Sequence, residues 1–501
     1  MHKLWVVLLC SIALVCGFVP SASAIPAFAR QYGTSCSTCH VDFPKLNDFG
    51  KAFKDAGFKF PKSDEDFIKI PPVMLGAPAQ KELWPHTIFP GTIPGLPPVG
   101  LRFNTFFQVY GKNRNNFNAG TTGPLIPRTD FQPGLFSIFM AGNFGSGIAF
   151  WVDDDISVGG SGASGGLGDG YLKFHNLGRF FKLPTDSLNL RVGQFEIDLP
   201  FSPARSWNLS GWDIYDESNI GALRGMSPQN VSNAFAFSTP GQGVEISGGH
   251  TYRGYHYSLA VLNQNTSGST ADGANISPAV GIFSDSNFKD IYGRFQYRFN
   301  LERDPASRNE IQAAGTIGPR DHTYLQLGTF YFYGRSVQRF QGESAVLTAR
   351  EPFYRTGGDF SFNYRTFNLF GLYMYGHDKN LLVNSDGTGF LSGAPAHFNG
   401  GFLEADYLAL PWLMTIMRYD RVQSTADFLN GQAGTPQNFF SPAGATRNRI
   451  TPGIQFLIHA NIKASFEYQI RPQQRVFDAD GNPVTNPFRT NQAVAGLEWV
   501  Y

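Results

Sequence analysis

Three residues at fixed spacing, Cys36, Cys39 and His40, carry the clearest chemistry in the chain. CxxCH is the attachment pattern of a c-type haem. Two thioethers tether the macrocycle, and the neighbouring histidine becomes the proximal iron ligand. A thioredoxin-like redox pair would follow a strand in a βαβ pattern, and a structural zinc would need a second pair of ligands. Neither context is present, because the only other cysteines, Cys10 and Cys16, lie in an apolar leader. The expectation is one covalently attached haem c on Cys36 and Cys39, with His40 on the iron. The distal ligand is open. Met74, in the stiff run Pro71-Pro72-Val73-Met74-Leu75, and His86 are the nearest candidates downstream. A residue of the following domain or an open position are the alternatives.

The elements that must position this motif come next. Residues 1–24 read as a signal peptide: Lys3, an apolar run over 4–19, then Ala22-Ser23-Ala24 before Ile25. Export fits the motif, since c-type haem is attached outside the cytoplasm. Behind the motif the pattern predicts a helix. Asp42 is a candidate cap, Pro44 suits an early helical position, and Phe43, Leu46, Phe49, Phe53 and Gly57 form an apolar stripe ending in a glycine stop. Lys45, Lys51 and Lys54 lie off the stripe and read as solvated lysines, with contact to haem propionates as the alternative. Residues 25–96 form a haem segment too small to bury a haem alone. Residues 90–98, rich in Pro and Gly, read as the linker into a second domain over 97–501.

That second domain alternates with period two. Leu101, Phe103, Thr105, Phe107 and Val109 face one way; Arg102, Asn104 and Gln108 face the other. Residues 454–471 alternate over a longer run than one ordinary strand. Similar runs cover 291–299, 323–333, 366–375 and 494–501. Phe370, Leu372 and Met374 break the pattern by adding a second apolar face. Long polar connections at 111–134, 159–168, 264–286, 380–399 and 425–449 separate short turns such as 248–254, as in outer-membrane barrels. Asp153, Asp154 and Asp155 read as a strand-end triplet at a loop mouth. The last residues alternate up to Tyr501, like a closing barrel strand.

Composition agrees. Charged residues are 16% of 501, against roughly 25% in soluble proteins, while Phe reaches 47 and Gly 56. A formal charge of +1 excludes a nucleic-acid binder held by phosphate contacts. The fold class expected is all-β: a transmembrane antiparallel barrel with a small N-terminal helical cytochrome segment. About 405 residues at roughly 25 per strand and connection give roughly 16 strands. A soluble solenoid, propeller or sandwich is the alternative, and no fixed repeat supports it.

Residues 26–32 (PAFARQY), Cys36 to His40, Phe43-Pro44-Lys45-Leu46-Asn47 and Phe49-Gly50 resemble the fused monohaem cytochrome–porins, whose best-known members are outer-membrane iron oxidases. Residues 190–203 share their flavour. The resemblance implies haem on Cys36 and Cys39 with His40 proximal, in the outer membrane of a Gram-negative bacterium. It implies electron transfer from extracellular Fe(II), or another reduced donor, through the haem to a periplasmic cytochrome. Lipid and the barrel assembly machinery are the other partners. Because one haem spans only part of a hydrocarbon layer of about 25–30 Å, the haem segment is expected to plug the barrel. The competing reading is a diffusion or substrate-specific porin carrying an accessory haem.

Overall fold

A computed structural model describes residues 27–60, 64–85, 91–96, 98–110, 114–115, 125–126, 129–132, 134–145, 147–158, 164–206, 208–217, 237, 240–263, 266–270, 288–301, 323–341, 346–379, 381–383, 390–392, 395–424, 446–470, 475–477, 483–485 and 491–501. The leader and His86 lie outside the described residues.

Sixteen strands build the wall. They are β1 (Val99–Tyr110), β2 (Gly134–Asn143), β3 (Ile148–Val158), β4 (Ser164–Phe174), β5 (Asn189–Phe195), β6 (Gly241–His250), β7 (Arg253–Asn263) and β8 (Lys289–Asn300). The ring continues through β9 (Tyr324–Gln341), β10 (Val346–Tyr364), β11 (Phe367–Asp378), β12 (Ala396–Leu410), β13 (Leu413–Ser424), β14 (Thr446–His459), β15 (Ile462–Gln469) and β16 (Gln492–Val500). Each pairs antiparallel with the next, and β16 returns to β1 through Trp499 opposite Phe103. Two short pieces join the ring without adding to the wall. Thr129–Gln132 extends β2 along β1, and Thr266–Thr270 runs parallel to the far end of β9.

The side chains alternate in the reverse sense to a soluble sheet. In β8, Ile291, Phe295, Tyr297 and Phe299 are 42–49% exposed, whereas Arg294, Gln296 and Arg298 are 2–6% exposed. An apolar outer ring around a polar interior needs hydrocarbon outside, and closure leaves no unpaired edge in it. Exposed Tyr364, Tyr407 and Trp412 flank the tight turns at 365–366 and 411–412, where an aromatic girdle meets the headgroups. The protein is therefore an outer-membrane β-barrel, requiring lipid around it and the barrel assembly machinery to insert it.

The run at 454–471 is a hairpin, not one strand. β14 turns at Ala460-Asn461 into β15, and a bulge at Leu457–His459 lets both strands keep apolar residues outward. The acidic triplet also moves. Asp153, Asp154 and Asp155 sit inside β3 and pair across to Phe139, Ile138 and Ser137, so the triplet is not a loop mouth.

Residues 27–60 lie inside the lumen, at the end of the barrel that carries the tight turns. Their contacts fix the level. Lys45 Nζ donates to Asn368 Oδ1 at the start of β11 (2.7 Å), Lys463 Nζ at the start of β15 donates to the Phe43 carbonyl (3.1 Å), and the Thr251 amide in the β6–β7 turn donates to Asp55 Oδ2 (2.8 Å). A second insertion between β5 and β6, described over residues 196–206 and 208–217, crosses the middle of the lumen. Ile197, Leu199, Trp212 and Ile214 are buried there against Phe370, Leu372, Met374 and Phe402 of the wall. This explains the broken alternation of β11: its inward face is apolar where the insertion packs.

Candidate functional site

The CxxCH motif is built by a short stretch of backbone locked to a helix. Cys36–Thr38 forms one 3-10 turn. Helix α1 (Ala27–Tyr32) precedes it and helix α2 (Asp48–Asp55) follows. The cap of α2 is Asn47, not Asp42, because Asp42 and Pro44 belong to the hairpin formed by His40–Asp42 and Lys45–Leu46. Asn47 does three jobs. Its side-chain oxygen accepts from the Gly50 amide (2.9 Å), its Nδ2 donates to the carbonyls of Ser37 (3.2 Å) and Thr38 (3.1 Å), and its own amide donates to the Cys39 carbonyl (2.9 Å). The motif and helix are therefore one rigid unit. Gly50 is required at their contact, since a Cβ there would collide with the Cys39 carbonyl oxygen. Gly57 ends the helix region at φ +79 as the sequence suggested, with its Cα face against His175.

Cys36 and Cys39 are not joined in a disulfide. Burial pushes both thiols up, Cys39 to about 12 with help from neighbouring Cys36. Burial pushes His40 down to about 4, which keeps its imidazole neutral. The Pro44 carbonyl lies 3.2 Å from Nδ1 and can only accept, so Nδ1 carries the proton and Nε2 is left with its lone pair. A neutral imidazole held through Nδ1 to a backbone carbonyl is the usual posture of a metal-ligating histidine.

A cavity of about 420 Å³ adjoins Cys36, Cys39 and His40. That lies within the range of cofactor pockets. One side is aromatic: Phe28, Phe53, Phe58 and Phe60 from the segment, with Trp151 from β3. Tyr32 stacks on Phe60 at 4.4 Å and donates to Asp64 Oδ1 (2.7 Å). Phe58 meets Trp151 at 5.7 Å. The other side is polar, with Arg102, Lys54 and Arg205 beside the carboxylates of Asp153, Asp155, Asp169 and Glu196. Donor set, imidazole posture and apolar slot all fit a covalently held haem. Met74 does not line this cavity; it lies 41% exposed in a two-residue strand paired with Thr92–Ile93.

A second cavity of about 320 Å³ lies between the segment and the insertion. The lysines expected to be solvated are inside the barrel. Lys45 pairs with Asn368 and approaches Asp406 at 3.8 Å, Lys51 sits over the Tyr324 ring at 5.3 Å, and Lys54 lines both cavities. Sequence reasoning missed these positions, and it missed the insertion altogether. The available signal was Ile197, Leu199, Trp212 and Ile214 in a stretch that does not read as strand.

No protein-family model matches this chain, and no curated protein is recognisably similar to it. Solved structures are similar at low identity. OprB of Pseudomonas putida has TM-score 0.46 at 10% identity, covering 80% of this chain and 94% of that chain. The outer membrane channel DcaP of Acinetobacter baumannii has TM-score 0.44 at 11%, covering 80% and 96%. OmpF of Salmonella typhi, in complex with daunomycin, has TM-score 0.43 at 9%, covering 80% and 97%.

Iron oxidation with electron transfer to a periplasmic cytochrome is corrected: among the described residues no group of three or more His, Cys, Asp or Glu could hold a metal ion, so no Fe(II) site is built. The geometry gives a physical reason. The insertion at 196–217 crosses the lumen between the long-loop mouth and the CxxCH segment, so an extracellular donor meets that layer first. Of the resemblance to cytochrome–porins, the structure shows the outer-membrane barrel.

Proposed function

We propose that this chain is a porin-type channel of the outer membrane, narrowed by residues 27–60 and 196–217, with one haem c on Cys36 and Cys39 as an accessory group. The observation that carries the channel is the polar interior of a closed 16-strand barrel that still holds two cavities, which share Lys54, Tyr171 and Arg205 in their linings. Charged and polar inward residues would pass small hydrophilic solutes, and the two inserted layers would set size and charge selection.

His40 Nε2 would hold the iron while the Pro44 carbonyl orients the ring. Phe28, Phe53 and Phe58 would exclude water from the macrocycle. When bound, a haem supplies a coloured, redox-active iron at the tight-turn end of the lumen. Met74, outside the lining of the cavity beside Cys36 and Cys39, would not hold the iron where it now stands.

Conductance tests the channel. Asp48 accepts from both terminal nitrogens of Arg298 in the wall, at 2.7 and 2.6 Å. Asp48→Ala should loosen residues 27–60 and raise single-channel conductance above wild type in planar bilayers. Absence of conductance in both proteins would overturn the reading. Haem attachment is tested separately, by the mass and visible spectrum of the Cys36–Cys39 peptide.

A further inference from the structure

We propose that Lys54, Lys173 and Arg205 form a carboxylate-binding site at the junction of the two lumenal cavities. All three line the 320 Å³ cavity, and Lys54 and Arg205 also line the cavity beside Cys36 and Cys39. Lys54 comes from α2, Lys173 from the end of β4, and Arg205 from the insertion. The site therefore exists only when the segment, wall and insertion are assembled.

Nearby carboxylates offset the three only in part, and Glu196, which lines both cavities, faces Arg205 and Lys54. Asp55 accepts from the Thr251 amide and from Thr251 Oγ1 (2.9 Å). Glu245 pairs with Arg191 at 2.5 Å, Asp198 with His256 at 3.1 Å, and Glu196 accepts from Ser202 Oγ at 2.9 Å. Each has a hydrogen-bond partner other than Lys54, Lys173 or Arg205, and Asp55 and Glu196, whose printed partners are neutral, stand as two counter-charges against the three cations. Burial lowers Lys54 to about 7, and the charges of Arg205, Arg191 and Lys173 lower it further, with Asp55 opposing. An enclosed cluster of like charge of this kind gains from an anion. A second group points to a ligand. His175 lines the same cavity, and both of its ring nitrogens are buried without a hydrogen-bond partner. Two or three cations with a neighbouring imidazole suit a planar, two-oxygen anion better than a halide.

Carboxylate could arrive from two sources. One is the propionates of the haem proposed above, whose polar edge would reach the junction from the apolar slot. The other is a soluble carboxylate moving through the lumen. Only the first source rests on the haem reading.

Glutarate is the probe, titrated calorimetrically into wild type and into Cys36→Ala/Cys39→Ala, each with and without Lys54→Gln and Lys173→Gln. Heat-modifiable gel mobility checks that every variant is a folded barrel, and Lys54→Arg serves as the conservative replacement. Binding of glutarate only to the cysteine-free protein, together with a haem potential shifted by Lys54→Gln and restored by Lys54→Arg, assigns the site to the propionates. Glutarate binding to both proteins, weakened at least tenfold by Lys54→Gln and Lys173→Gln, assigns it to a soluble anion. No glutarate binding to the cysteine-free protein and no change in haem potential overturn the site. A wild type that carries no haem by mass removes the haem reading alone, and the glutarate arm still decides the site.

Discussion

Two regions fill the lumen, and they are held in opposite ways. Residues 27–60 carry their own core: Phe28, Tyr32, Phe49, Phe53, Phe58 and Phe60 pack mainly on one another, and a few polar tethers reach the wall. The described residues of the insertion, 196–206 and 208–217, pack chiefly outward. Their apolar side chains pack on the wall, with Trp212 stacked on Phe402 at 4.7 Å. Their backbone is clamped by charged wall residues. Arg418 donates to the Ser210 carbonyl (2.9 Å) and Oγ (2.7 Å), Glu467 Oε1 accepts from the Leu209 amide (2.6 Å), and Asp420 Oδ1 accepts from the Asp213 amide (3.1 Å). The insertion is part of the barrel's interior; the segment is a cargo seated in it. Losing the insertion should unsettle the barrel, whereas losing the segment should leave the barrel standing.

The largest expected effect breaks the clamp. Asp420 is fully buried and also accepts from Arg418 Nε (2.9 Å) and Arg449 Nη2 (3.1 Å). Asp420→Ala leaves two buried guanidiniums without their shared carboxylate, a loss of roughly 3–5 kcal/mol. Thermal denaturation followed by gel mobility should show a clearly lower transition for the whole barrel. A transition unchanged from wild type would mean that the insertion is no more integral than the segment.

An intermediate effect is confined to the segment. Gly50→Ala pushes a methyl group into the Cys39 carbonyl, and overpacking of this kind costs roughly 1–3 kcal/mol. The helix and the CxxCH turn should separate, with faster tryptic cleavage of residues 27–60 and poorer haem loading. Barrel denaturation should stay at the wild-type temperature. If it falls alongside, the segment is not an independent cargo.

These two regions were unequally legible. The wall is readable because period two is imposed by the pleat and inverted by lipid, so β8 and the alternating run at 454–471 show it directly. The CxxCH motif is readable because its spacing is covalent chemistry. The insertion is not, since its seat depends on Glu404, Arg418, Asp420 and Glu467, each from a strand some 190 to 260 residues away along the chain. Phe370, Leu372 and Met374 look like noise until Phe201 is found 4.8 Å from Phe370. Lys54 likewise looks like any solvated lysine of an amphipathic helix. Only closure of the barrel around α2 places it beside Arg205 and Lys173.

The smallest effect sharpens the comparison by separating tethers within the segment. Lys51 and Asp48 lie on one face of α2, 3.3 Å apart, with side chains 21% and 18% exposed. Asp48 also holds Arg298, whose guanidinium is 3.5 Å from the centre of the Tyr324 ring. The Asp48–Arg298 pair crosses from segment to wall, while the Lys51–Asp48 pair stays inside one helix. An (i, i+3) ion pair within one helix contributes about 0.2–0.5 kcal/mol. Lys51→Ala should therefore leave both tryptic resistance and conductance within error of wild type, although Lys51 also faces Tyr324. If Lys51→Ala instead raises conductance as much as Asp48→Ala, the segment is held by its total positive charge against the wall. The distinction between crossing tethers and internal pairs would then be lost.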